Sequence, residues 1–354
     1  MPGRHRFLAI ALALAAAPGT WLRSPEPPPN HEQALRLVPL TAGVERIGPF
    51  RIAGVWQLTS LNSLFGSYSA MVAPAPGQLL AFSDRGDFLE FGAPGSDPAP
   101  VRIGTVPGKT RRSKHYRDIE SASRDAVTGR IYVALEGRNA VARYGPGLTF
   151  EALRWVPEMH RWRDNSGPEA MVRLDDGRFV VLCECATGWL ASGLHRGLLF
   201  AGDPTAEGAG QAFTFGGAEG YRPTDMAALP DGRVLVLVRR VTWPMPPRFE
   251  AKLLLADPAE ITAGSIWQAS ELADISGPMP IDNFEALAVT SGEDGTLIAW
   301  LMSDDNQALS QRTLLLKLIF SLKDLPDKRT APGTSDAPRQ ARRYPEKFRR
   351  PAAS

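Results

Sequence analysis

Carboxylates recur at one kind of place in this chain. Glu120, Glu169, Asp225 and Glu285 each open a short apolar run, and Asp84, Glu136, Glu184 and Asp304 each close one. Charged side chains are seldom set at the mouth of a buried strand without a partner. Gathered together, such groups repel one another unless a cation, an arginine or a shared proton relieves them. A hard cation with flexible geometry and six to eight oxygen ligands suits them best, which points to Ca2+. Its candidate ligands are Asp84, Asp118, Glu169, Glu184, Asp225, Asp282, Glu285, Asp304 and Asp305. Glu120 and Glu136 are the candidates for proton transfer, with Arg85 and Arg239 placed to steady a developing negative charge. A basic run just ahead of Glu120, with Lys109, Arg111, Arg112 and Lys114, is the candidate for holding an anionic substrate. The plainer reading is a solvated acidic rim, or salt bridges to Arg85, Arg239 and Arg240.

Positioning these groups requires a repeated element, and the chain has one. Segments 67–86, 118–137, 167–184, 223–240 and 283–305 share a plan: a polar or acidic residue, an apolar stretch, a turn ending in glycine, then a second apolar strand ending on a charge. The leading residues Ser69, Glu120, Glu169, Asp225 and Glu285 are spaced by 51, 49, 56 and 60 positions. That period suits one four-stranded propeller blade per repeat. The expected fold is therefore an all-β propeller of six blades. The sixth blade would be assembled from 50–60 and 312–322, so that the N- and C-terminal strands close the ring. Asp176-Gly177 and Asp294-Gly295 read as two-residue hairpin turns. That register sets Glu169 opposite Glu184 and Glu285 opposite Asp304. A tight turn at Pro76-Gly77 sets Ser69 opposite Asp84, and a three-residue loop at 127–129 sets Glu120 opposite Glu136. All the charged ends then face one mouth of the channel.

Composition agrees with this and excludes several classes. The chain is 44% hydrophobic with 33 Gly and 31 Pro, a balance of ample core and frequent turns. Residues 1–20, with Arg4 and Arg6 ahead of an apolar stretch at 7–17, have the outline of a secretory signal peptide. Export to the periplasm or the exterior is expected, or tethering if that leader is retained. Residues 21–44 form a Pro-rich linker, 45–323 the propeller, and 324–354 a disordered basic tail. From Lys328 onward there are eight Lys/Arg and two acids, which leaves the folded body net acidic. Basic charge confined to a tail argues against nucleic-acid binding. No later run is long enough to cross a bilayer. The only cysteines, Cys183 and Cys185, sit two apart on a strand, where a bridge would strain extended backbone, so they read as small buried hydrophobes. No H-E-x-x-H, G-x-S-x-G or R-H-G-x-R motif is present, and the glycines of 104–110 are one residue too close for a phosphate-binding loop.

Six segments, "FSDRGDF", "RDIESASRD", "VALEGRN", "NSGPEAM", "DNFEALAV" and "MSDDNQALSQRTLLL", stand here in an order that resembles the phytase-like family, described as having esterase-like activity of phytase. The resemblance runs from about residue 45 to 322. It implies an exported β-propeller whose activity rests on clustered Glu and Asp, matched here by Asp84, Asp118, Glu120, Glu136, Glu169, Glu184, Asp225, Glu285, Asp304 and Asp305. Ser121, Ala170 and Ala286 stand where the family tends to carry glycine. The leading expectation is a calcium-dependent phosphoester hydrolase acting on a small anionic substrate. The alternatives are a non-catalytic propeller braced by its cation that binds a ligand or protein, and a lactone or sugar-ester hydrolase.

Overall fold

The computed structural model describes residues 24–108, 117–162, 166–187, 193–242 and 248–328. Within them, the strands form five sheets arranged as five blades. Blade 1 is Tyr68–Val72, Gln78–Ser83, Asp87–Gly92 and Arg102–Thr105. Blade 2 is Ile119–Arg124, Ile131–Leu135, Ala140–Gly145 and Thr149–Trp155. Blade 3 is Pro168–Arg173, Phe179–Ala186, Leu194–Phe200 and Gln211–Gly216. Blade 4 is Arg222–Ala228, Val234–Thr242, Arg248–Ala256 and Ser270–Ile275. Before its last strand, the chain of blade 4 leaves to lay Ile266–Gln268 in parallel on the outer edge of blade 3.

The expected sixth blade is not formed. Phe50–Thr59 and Leu314–Phe320 do pair with each other, but the second of them also pairs with Leu297–Asp304. They are the outer strands of blade 5, which starts with Asn283–Ser291, and Arg36–Leu40 covers their free edge. The fifth repeat supplies only two strands of its own hairpin. An unpaired edge there would expose a row of backbone donors and acceptors, and the chain ends fill it.

Five apolar cores lie between the blades, one per interface. Leu237 and Leu253 of blade 4 pack with Leu287 and Leu301 of blade 5, and Met71 and Leu89 of blade 1 pack with Trp300 and Met302 of blade 5. The other three cores join blades 1 and 2, 2 and 3, and 3 and 4. Each sheet is therefore buried on both faces, which is why the inner strands read as nearly continuous apolar runs. The innermost strands touch in a closed circuit, blade 1 to 2 to 3 to 4 to 5 and back to 1. Among the described residues, no helix is long and apolar enough to cross a membrane.

Because each core is shared by two sheets, a cavity in one loosens both. Leu237 is fully buried between blades 4 and 5. Leu237→Ala is expected to lower the unfolding free energy by about 3 kcal/mol, read as a shift of the urea midpoint with an unchanged slope.

Candidate functional site

The first two strands of every blade place the charged groups, and they do so through two irregularities. First, the hairpin loops are one residue or more longer than a two-residue turn. Leu174 N–H donates to Arg178 C=O across Asp175-Asp176-Gly177, and Gly292 to Thr296 across Glu293-Asp294-Gly295. The last loop residue is a glycine at positive φ in each case, at Gly77, Gly129, Gly177, Gly232 and Gly295. This is the geometry of a turn followed by a left-handed residue. Second, each inner strand carries a bulge at the same point, which skips Ser69, Glu120, Glu169, Thr224 and Glu285 in the pairing.

These two effects correct the expected register. Asp304 lies opposite Asn283 rather than Glu285, and Ser83 lies opposite Tyr68. Glu184 N–H donates to Gly167 C=O and Glu136 N–H to Asp118 C=O, at 3.2 and 2.9 Å. The five bulged residues thus have no direct cross-strand partner. A bulge re-aims a side chain in this way. In the fourth repeat the bulged residue is Thr224, so Asp225 is not the equivalent of the glutamates.

Asp225 is fully buried and faces backbone. Its carboxylate accepts N–H groups from Met226 at 2.8 Å and from Leu287 of blade 5 at 2.7 Å, and one from Met71 of blade 1. Burial still holds its carboxyl well above the usual range against these three donors. It ties three blades together. Asp282 and Asp305 are also turned to backbone. Asp282 accepts from Asn283 and Arg312, and Asp305 from Ser67, Gln307 and the Thr313 hydroxyl.

The remaining acids converge. Carboxylate oxygens of Asp118, Glu120 and Glu136 lie within 4.8 Å of one another. Burial, then the charges of Glu285, Glu136 and Asp118, push the Glu120 carboxyl well above the ordinary glutamate value. Glu169 is raised in the same way by burial and by Glu120 and Glu184. It shares a hydrogen bond with Glu136, whose other contact is the N–H of Gly167 at 3.1 Å. Burial and the neighbouring Glu285 and Asp84 raise Asp304.

Blade 4 brings the opposite charge. The Arg239 guanidinium lies 2.9 Å from Glu285 and 3.6 Å from Glu184, and Arg222 reaches Glu184 at 3.1 Å. Burial opposes the Arg239 charge, but Glu285 and Glu184 outweigh it and hold the group firmly protonated. Glu285 is further held by the Asn283 amide at 2.7 Å, and burial keeps its carboxyl above the usual value despite both contacts. Two oxygens of this ring, Ser69 Oγ and Asn283 Oδ1, are buried without a hydrogen-bond partner. Behind Glu184, the buried His195 ring spans the carbonyls of Glu184 and Tyr221 at 3.1 and 3.0 Å.

The Arg85 guanidinium donates to the carbonyls of Leu64 and Phe65 at 2.9 and 3.2 Å and pairs with Asp87, an acid outside the expected site, at 3.8 Å. Lys109, Arg111, Arg112 and Lys114 lie outside the described residues. Sequence reasoning missed Arg222 and Thr224. The signal was present, since Arg222 precedes the bulge by two positions as Asp118 does in the second repeat. It also missed a bond. Cys183 and Cys185 form a disulfide, with Cα atoms 5.0 Å apart where two regular strand residues span about 6.6 Å. Toward Leu194–Phe200 the pairing of this strand is interrupted between Leu182 and Ala186, and the strand on its other side bulges at Glu169. The backbone is free to contract there, so the objection from extended geometry does not apply.

The model of the phytase-like family, described as "Esterase-like activity of phytase", matches residues 63–307. No curated protein matches the chain. Among solved structures, the chain is similar to a PQQ-bound aldose sugar dehydrogenase from Streptomyces coelicolor at 12% identity, over 82% of this chain and 99% of that one, with a TM-score of 0.41. A protein from Lactobacillus plantarum is 13% identical over 78% of this chain and 81% of its own, with a TM-score of 0.35. Likeness at this level adds nothing to the reading of the site.

The raised carboxyls have a pH consequence with a definite sign. A group whose folded pKa exceeds its unfolded one binds its proton more tightly when folded. Its stabilisation is full below the unfolded value, about 4.3 for glutamate, and is lost as pH rises through the folded value. In chelator, the thermal midpoint is expected to fall from about pH 5 to pH 8, with a shallower fall in Glu120→Gln. A midpoint that rises over that interval in both proteins contradicts the buried cluster.

Proposed function

This chain belongs to the phytase-like family, and from that premise we propose that it is an exported, cation-dependent hydrolase of phosphoesters that works at the acidic mouth of the propeller. The observation that carries the reading is the division of charge around the ring. On one side Asp118, Glu120 and Glu136 crowd together, their carboxylate oxygens within 4.8 Å of one another. On the other, Arg222 and Arg239 stand beside Glu184 and Glu285. A place for a cation next to a place for an anion is what a phosphoryl group requires.

The donor set fits a divalent cation. Three carboxylates whose oxygens lie within 4.8 Å of one another are hard ligands of the kind such an ion takes. Asp118, Glu120 and Glu136 would hold the ion, with Ca2+ the first choice for an all-oxygen site. When bound, such an ion polarises a phosphoryl oxygen and lowers the pKa of a bound water. Of the expected ligands, Glu169, Glu184, Glu285, Asp84 and Asp304 then act around the ion.

The side chains divide the remaining work. Arg239, fixed between Glu285 and Glu184, presents a charge that stays on at any working pH and draws the substrate's anionic group toward the acids. Arg222, more exposed, meets the substrate first. Glu169, raised by burial and by Glu120 and Glu184 and hydrogen-bonded to Glu136, is the side chain placed to pass a proton to a leaving oxygen. Burial keeps competing water from these groups.

Phosphate release from phosphomonoesters, measured after chelation and again with added Ca2+, tests this. Ca2+-dependent turnover is expected, falling by about a hundredfold or more in Glu169→Gln and Arg239→Ala. Turnover of gluconolactone-type esters alone would move the site to lactone hydrolysis. A Ca2+-stabilised melt with no turnover of either would make the ion a brace.

A further inference from the structure

We infer that the Cys183–Cys185 disulfide is a positioning clip for Glu184, and through Glu184 for the two arginines that meet an anionic substrate. The two cysteines flank the glutamate directly. Glu184 is the only residue of the site enclosed by a covalent loop, and it sits where its strand has lost its pairing to Leu194–Phe200, between Leu182 and Ala186. A strand segment laddered on one side only is less constrained in the direction of its side chains. Three restraints hold this one. Glu184 N–H donates to Gly167 C=O, its C=O meets the His195 ring, and the disulfide contracts the backbone around it.

The fixed direction matters because Glu184 is shared. One carboxylate oxygen faces Arg222 at 3.1 Å and the other faces Arg239 at 3.6 Å. Arg239 also holds Glu285. Letting Glu184 swing frees Arg222 entirely and leaves Arg239 to Glu285 alone, so the anion-binding side of the ring loses its arrangement while the Asp118, Glu120 and Glu136 group keeps its own. The rest of the fold has no need of the bond: Cys183 already packs in the core between blades 2 and 3. Cys185 is the more exposed of the two, and its Sγ is the point of attack for a thiol. With a dithiol as reductant, its thiolate displaces the Cys183 sulfur, and its second thiol then resolves the mixed disulfide. Two electrons and two protons end on the cysteine pair, and the dithiol leaves as a cyclic disulfide.

The kinetic consequence rests on the hydrolase reading; the structural one does not. Full-length protein is denatured and alkylated with and without prior dithiothreitol, and intact mass counts the labelled thiols. Two labels only after reduction are expected, and two labels without it overturn the proposal. The folded protein is then reduced and its histidine ring resonances are compared, with His195 assigned through His195→Gln. A shift of the His195 signal at unchanged overall fold is expected, and an unmoved signal overturns the clip whatever the enzyme does. On phosphoester substrate, reduction is expected to raise KM about tenfold, with a smaller change in kcat, as for loss of an outer partner of a binding group. Glu184→Gln should remove the difference between oxidised and reduced enzyme, and Cys183→Ala/Cys185→Ala should match the reduced one. An unchanged KM sinks the clip while the hydrolase reading stands. Absence of any turnover sinks that reading, and the alkylation and histidine measurements still decide the clip.

Discussion

Strands that converge on one axis bring their ends within reach of one another, and in this chain most of those ends carry a carboxylate. Each ionised acid there gives up water and faces its own kind, so full ionisation of the ring is the state the fold must avoid. Three compensations act at once. Glu120, Glu169 and Asp304 are held toward the protonated form by burial and mutual charge. Arg239 neutralises Glu285 and Glu184 from blade 4, whose bulge carries Thr224 in place of a glutamate. A cation among Asp118, Glu120 and Glu136 would relieve the rest. The same repulsion that burdens the folded state would favour a positive partner at this site.

The scaffold is built to resist that repulsion. Five cores, each shared by two sheets, leave no blade able to tilt alone. Asp225 gathers backbone donors from blades 1, 4 and 5, so the inner strands of these three blades are tied to one another. A buried carboxylate with three backbone donors is a better strut than an apolar residue of the same size, which would orphan those N–H groups. The bulges complete the device. They free one side chain per inner strand from cross-strand pairing and aim it along the channel.

Much of this was legible in the sequence, and the misses share a cause. The repeat period identified blades, and the leading and closing residues identified Glu120, Glu136, Glu169, Glu184, Glu285, Asp304 and Arg239. Periodicity reports which positions are apolar and says little about which residue faces which. A left-handed glycine that lengthens a loop by one, or a bulge that drops one residue from a ladder, leaves the apolar pattern intact and shifts every pair beyond it. Hence Glu285 was matched to Asp304 and Asp225 to the glutamates. The blade count failed for another reason. Residues 50–60 and 312–322 were rightly grouped with each other, but nothing local distinguishes a pair of strands that makes a new blade from one that finishes an old one. The disulfide escaped because regular strand geometry was assumed where the strand is irregular.

Blade 5 joins strands from the two ends of the domain, since Phe50–Thr59 lies against Leu314–Phe320. An early strand, paired only with its neighbours Arg36–Leu40 and Arg46–Ile47, must therefore wait for its blade until the last strand has been made. No order of synthesis from the N-terminus lets the blades finish one after another, and the final hydrogen-bonded ladder forms only between segments far apart along the chain. Loop-closure entropy makes such a step slow. The Asp118, Glu120 and Glu136 group stands two blades away in a hairpin of local contacts, so its own strands can pair early. Their full approach to Glu285 and Arg239 comes only with that late joining. The apolar interfaces of blade 5, which draw on both Phe50–Thr59 and Leu314–Phe320, are completed in that same step.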